Sequence, residues 1–159
     1  MTVVVTSLIA VLGTLLGAAL TPVLQGRATA RSERFAREER LRQERIDAYC
    51  AFGGALANYR RGQLDRWFRR LDDRSADPAD IHELRREAQR LRAAAIEAMF
   101  RVELLTDSPD LVSKGRSAFA AVDDLIRTDD REELAAGRVA SRNLLYDFIA
   151  ASRPYVRST

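Results

Sequence analysis

The stretch DPADIHELRREAQRLRAAAIEAMFRVELL, residues 77–105, decides the fold class. Its apolar positions Ile81, Leu84, Ala88, Leu91, Ala95, Met99, Val102 and Leu105 recur at steps of three and four, the repeat of a helix with one face against a core. Between them lie Arg, Glu and Gln, a solvated outer face. Asp77-Pro78 supplies the start. The carboxylate can accept from free backbone amides of the first turn, and proline's fixed φ and missing N–H suit the first helical position.

Downstream, Ser108-Pro109 repeats the device and opens a helix with Leu111, Gly115, Phe119, Val122 and Leu125 inward. Asp129 followed by Glu132 resembles a capping box and opens another, with Leu134, Leu145, Phe148 and Ile149 inward until Pro154. Upstream, Ile46, Tyr49, Gly53, Leu56, Leu64, Trp67 and Leu71 form a stripe with a polar lapse near Arg60, ended by the break at 72–77. No strand pattern remains. The expectation is an all-α protein whose residues 46–159 form an antiparallel four-helix bundle, or a pair of helical hairpins completed by dimerisation.

The first 25 residues differ from everything that follows. They carry no charged side chain, and Val3 to Leu24 as a helix spans roughly 33 Å, close to the roughly 30 Å of bilayer hydrocarbon. This predicts a transmembrane anchor over 1–25, then a charged helical stalk over 26–45. A cleaved secretory signal is the competing reading, because Ala28-Thr29-Ala30 has a small-x-small pattern. The missing basic n-region, the long apolar stretch and the arginines around the site weigh against it. Arg27, Arg31, Arg34 and Arg37 follow the apolar end, which predicts a single-pass protein of the inner (cell) membrane with its N-terminus outside and its body cytoplasmic, the basic residues beside lipid head groups. Gly13, Gly17 and Thr21 share a face on which two membrane helices could approach, so self-association is expected there; glycine is also simply common in such helices. Pro22 is expected to kink or end the span.

Residues 26–74 carry 13 Arg against 8 acids, net +5, while residues 75–159 carry 13 basic against 15 acidic, net −2. Arg and Glu alternate through the stalk, where Glu33 with Arg37 and Glu38 with Arg42 are favourable four-residue pairs.

The search for catalytic parts is mostly negative. His82 and Cys50 are each the only residue of their kind, which leaves no internal disulfide and no Cys/His metal cluster. Cys50, between Tyr49 and Ala51, reads as a buried thiol. The doublets Asp72-Asp73, Asp123-Asp124 and Asp129-Asp130 read as caps and solvated surface. Phosphate-binding and nucleophile-elbow motifs are absent. Neither an enzyme nor a cofactor is expected. Arg60, Arg61, Arg66, Arg69 and Arg70 surround Tyr59, Trp67 and Phe68, as phosphate contact with base stacking would require. They are candidate contacts for protein, lipid or nucleic acid, but Trp67 lies on the apolar stripe, and a core aromatic beside a solvated arginine face is the plainer reading.

The opening TSLIAVLGTLLG at 6–17, the Arg/Glu stalk, Trp67-Phe68-Arg69-Arg70 and FRVELLT at 100–106 together resemble KilB-like proteins of actinobacteria over most of the chain. The resemblance implies a membrane protein of conjugative plasmids in mycelial bacteria, a non-catalytic accessory in the spread of plasmid DNA between compartments. It implies a conjugation or translocase protein as partner, and it assigns no functional residues. A membrane-tethered scaffold for a neighbouring protein, with no DNA role, is the alternative.

Overall fold

The computed structural model describes the backbone of residues 2–72 and 78–157 and the side chains of residues 29, 31–70 and 79–157. The described residues are helical apart from short connections: α1 (Thr2–Asp72), α2 (Pro78–Leu105), α3 (Pro109–Asp123) and α4 (Arg131–Ser152), with single 3₁₀ turns at Asp124–Ile126 and Arg153–Tyr155. The chain divides into two compact units, residues 1–40 and 41–159. In the first, Arg31, Arg34 and Arg37 are exposed, and Arg37 pairs with Glu33 at 3.6 Å.

In the second unit, the contacts fix how the helices lie. Arg45 reaches Leu105 O at 2.8 Å, and a Cβ on Gly62 would meet Leu91, so α1 and α2 run antiparallel. Gly53 faces Ile149 and Arg60 donates to Ser141, which sets α4 antiparallel along the other side of α1. Gly115 faces both Met99 of α2 and Phe148 of α4, and a Cβ there would lie 2.9 Å from Met99 Cε. A side chain there would require the flexible end of Met99 to move. Tyr59 stacks on Phe119 across the diagonal. The result is an antiparallel four-helix bundle that begins at Leu41, a little earlier than the 46 set by the apolar stripe, because Arg42 and Arg45 are tied to Val156 O and Leu105 O.

The core follows the periodicity. Tyr49, Phe52, Leu56 and Tyr59 meet Ala95, Met99, Val102, Leu111, Ala118, Val122 and Phe148, and the rings of Tyr49 and Phe52 meet Phe148 edge-on. A smaller cluster of Leu64, Trp67, Leu125 and Leu134 lies toward the other end. Ser108 caps α3 by accepting from Leu111 N, with proline next, as expected. The cap of α4 is Asp130, not Asp129: its side chain accepts from Glu132 N at 3.1 Å. The side chain of Asp77, expected to cap α2, and that of Leu71 lie outside the described residues.

The expected localisation is corrected. Among the described residues, no helix is long and apolar enough to cross a membrane, so a single-pass, N-outside protein of the inner membrane is not supported. The physical reason within those residues is charge. Arg31, Glu33, Arg34, Arg37, Glu38, Glu39 and Arg40 follow one another through α1, and α2, α3 and α4 are each amphipathic. The expected anchor over 1–25 lies outside the residues whose side chains are described, and Arg31, Arg34 and Arg37 are exposed on α1. Gly13, Gly17, Thr21, Pro22 and Arg27 lie among the residues of which only the backbone is described, and α1 continues past residue 22.

Candidate partner-binding cleft

The five arginines singled out from the sequence do not form one surface. Arg60 turns toward α4, where Nε donates to Ser141 Oγ at 3.1 Å and Nη2 to Arg138 O at 2.9 Å. Burial, and then the nearby positive Arg138 and Arg142, lower its pKa. Its hydrogen bonds close the α1–α4 seam. Arg61 faces α2 in a shallow recess with Asp65, Glu87 and Arg90, where the field is mixed.

Arg66, Arg69 and Arg70 are at i, i+3 and i+4 on the last turns of α1 and therefore share a face. With Arg85 of α2 they rim a cleft of about 280 Å³ whose floor is Ile81, Leu84 and Ile126. The cleft exists because the bundle is uneven in length. The apolar stripe of α2 continues toward its N-terminus through Leu84 to Ile81, but α3 stops at Asp123 and only the following 3₁₀ turn reaches across. Ile81 is left 49% exposed, contrary to the expectation that the whole stripe faces inward.

The wall formed by residues 126–129 is held from α1. Trp67 Nε1 donates to Thr128 O at 2.7 Å, Arg70 donates to Thr128 O at 2.8 Å and Ile126 O at 3.3 Å, and Arg70 pairs with Asp129 at 2.6 Å. Thr128 Oγ1 donates in turn to Glu133. Trp67 has no exposed surface and cannot stack on a base, and Tyr59 is likewise buried. Tyr59 and Trp67 are thus core aromatics, whereas Phe68 is exposed.

The polar lapse near Arg60 is a buried layer. Tyr59 OH donates to Asp123 Oδ1 at 2.6 Å and accepts from Gln63 Nε2 at 3.0 Å, while Arg92 Nε donates to the same carboxylate at 2.9 Å. Burial first, then the bond to Asp123, holds the Tyr59 phenol well above its ordinary range. Burial pushes Asp123 up, but the hydrogen bonds from Tyr59 and Arg92 outweigh it and leave the carboxyl below its usual value. Gln63 Oε1 is buried without a hydrogen-bond partner.

Cys50 is exposed, a correction to the buried thiol expected. It falls off the arc formed by Tyr49, Phe52, Leu56 and Tyr59. His82, also exposed, lies near the cleft, at the far end of the α1–α2 hairpin from Cys50. Among the described residues, no group of three His, Cys, Asp or Glu side chains is gathered that could hold a metal ion.

A family model described as KilB plasmid transfer protein matches residues 46–156, a stretch that contains the whole cleft. The chain belongs to the KilB family. Protein KilB of Streptomyces lividans is 35% identical over 134 residues, covering 84% of this chain and 86% of that one. No solved structure matches. The resemblance seen in the sequence is thus borne out. What sequence reading of this KilB-family chain missed at the site is Arg85 and the apolar floor, because Ile81 and Leu84 had been assigned to the core.

Proposed function

We propose that this KilB-family chain is a non-catalytic accessory of plasmid transfer, a helical adaptor that receives a protein partner at the arginine-rimmed cleft. The family supports the role in plasmid transfer. The observation that carries the adaptor reading is the floor of the cleft: guanidinium groups of Arg66, Arg69, Arg70 and Arg85 surround Ile81, Leu84 and Ile126. Duplex phosphates gain nothing from an apolar floor, whereas a protein segment with acidic and apolar side chains satisfies both parts. A scaffold role without DNA contact is therefore favoured over phosphate binding.

The test is complementation of a conjugative plasmid deleted for its KilB-family gene. The chain carrying Arg66→Glu, Arg69→Glu and Arg85→Glu should accumulate with unchanged helical content and fail to support plasmid spread. Normal spread would remove the cleft from the function. A parallel salt titration with random duplex DNA should give no binding at low salt; binding that weakens steeply with salt would instead support phosphate contact.

A further inference from the structure

The far end of α2 carries a surface complementary to the cleft. Ala95, Met99 and Val102 turn into the core, and this leaves Phe100 58% and Leu104 84% exposed on the opposite side, one helical turn apart. The two side chains form a small apolar patch one turn long. Glu97 precedes it by one turn on the same face, and Asp107 follows in the connection to α3; both are exposed. Arg101, also exposed, lies one turn from both Glu97 and Leu104 and borders the stripe on one side.

We infer that this Phe100/Leu104 stripe of one copy, with Glu97 and Asp107 at its ends, docks in the arginine-rimmed cleft of a second copy of the same chain. The proposal rests on the reading of the cleft as a protein docking site and names its occupant. Phe100 and Leu104 match the apolar floor of Ile81, Leu84 and Ile126, and Glu97 and Asp107 match the rim of Arg66, Arg69 and Arg85. The cleft, at about 280 Å³, is close to the ~300 Å³ lower end of pockets that take small organic groups, room for a large side chain. A molecule cannot dock with itself: Ile81 and Phe100 are roughly 28 Å apart along α2 at about 1.5 Å per residue. The contact joins two different surfaces, so a pair keeps one stripe free on one copy and one cleft free on the other, and association continues head to tail.

The full-length chain with Cys50→Ser provides the test. One preparation carries Ile81→Cys, a second carries Leu104→Cys, and a short bifunctional maleimide is added to each alone and to the mixture. A covalent dimer should form in the mixture at least tenfold more than in either preparation alone, and Arg69→Glu with Arg85→Glu in the first partner should abolish it. A chain carrying both cysteines should give a ladder. Absence of the mixed dimer, dominant homodimers of either single variant, or indifference to the charge reversal overturns the proposal. Loss of plasmid spread without the mixed dimer leaves the cleft functional and refutes self-docking. A mixed dimer with normal spread in the charge-reversed chain supports self-docking and refutes the cleft's role in spread.

Discussion

The two ends of the bundle are made from the same four helices and use arginine in opposite ways. Where α1 enters the bundle, Arg42 and Arg45 donate to Val156 O and Leu105 O, Tyr49 OH is hydrogen-bonded to Thr106 Oγ1 at 2.9 Å, and Tyr155 donates to Ser108 at 2.7 Å. Each cation or hydroxyl there closes a helix end over a deep aromatic core. At the other end, Arg70 and Arg127 are tied down, whereas Arg66, Arg69 and Arg85 have no partner among the described residues and stand around the apolar side chains of the cleft. Charge that completes the fold at one end is left available at the other. This division argues for a docking role more strongly than the net charge does.

The largest effect expected from breaking this contrast is in the packed end. Phe148→Ala removes a fully buried ring that meets Tyr49 and Phe52 edge-on, and should cost about 3–5 kcal/mol in urea denaturation. Leu134→Ala, in the smaller cluster beneath the cleft, should cost only about 2 kcal/mol in the same measurement, the low end for such truncations, because the site can collapse. Equal losses would mean that both ends are packed alike.

A smaller effect concerns the polar layer between the ends. A carboxyl held below its usual range contributes stability that is fully present above its unfolded pKa, near 4, and is lost as pH falls through the lower folded value. Thermal unfolding should therefore show the wild type losing stability more steeply than Asp123→Asn as pH is lowered from about 5 to 2. Parallel curves would show that Asp123 is not stabilised by Tyr59 and Arg92. Smallest of all, Arg69→Ala and Arg85→Ala should change stability by less than about 0.5 kcal/mol. A larger loss would make the cleft arginines part of the fold rather than of its contacts.

Much of the architecture was legible because caps and stripes are local. Ser108-Pro109 places α3, the 3.6-residue repeat places the core-facing positions of α2, and Trp67 belongs to its stripe whatever arginines flank it. What periodicity does not encode is where a covering neighbour ends. Ile81 and Leu84 obey the same repeat as Met99, yet the short α3 leaves them as the floor of a cleft. Hydrogen bonding between helices was equally hidden. Near Arg60 the apolar repeat fails, but Gln63 is buried because Tyr59 supplies a partner, and that pairing depends on Asp123, sixty-four positions away in the sequence. Cys50 shows the reverse error: apolar sequence neighbours did not place it on the buried arc.

The Tyr59, Asp123 and Arg92 contact has a consequence for which way the bundle winds. Four amphipathic helices with short links can turn clockwise or anticlockwise, and apolar side chains fill either interior. In the mirror arrangement, the face of α3 that looks at α2 would look at α4 instead, and Asp123 would keep a half-buried negative charge without Arg92. The carboxylate would keep Tyr59 and its local partner Arg127 but lose a charge-assisted hydrogen bond. The Arg92 bond to this carboxylate thus favours the observed winding over an otherwise comparable one.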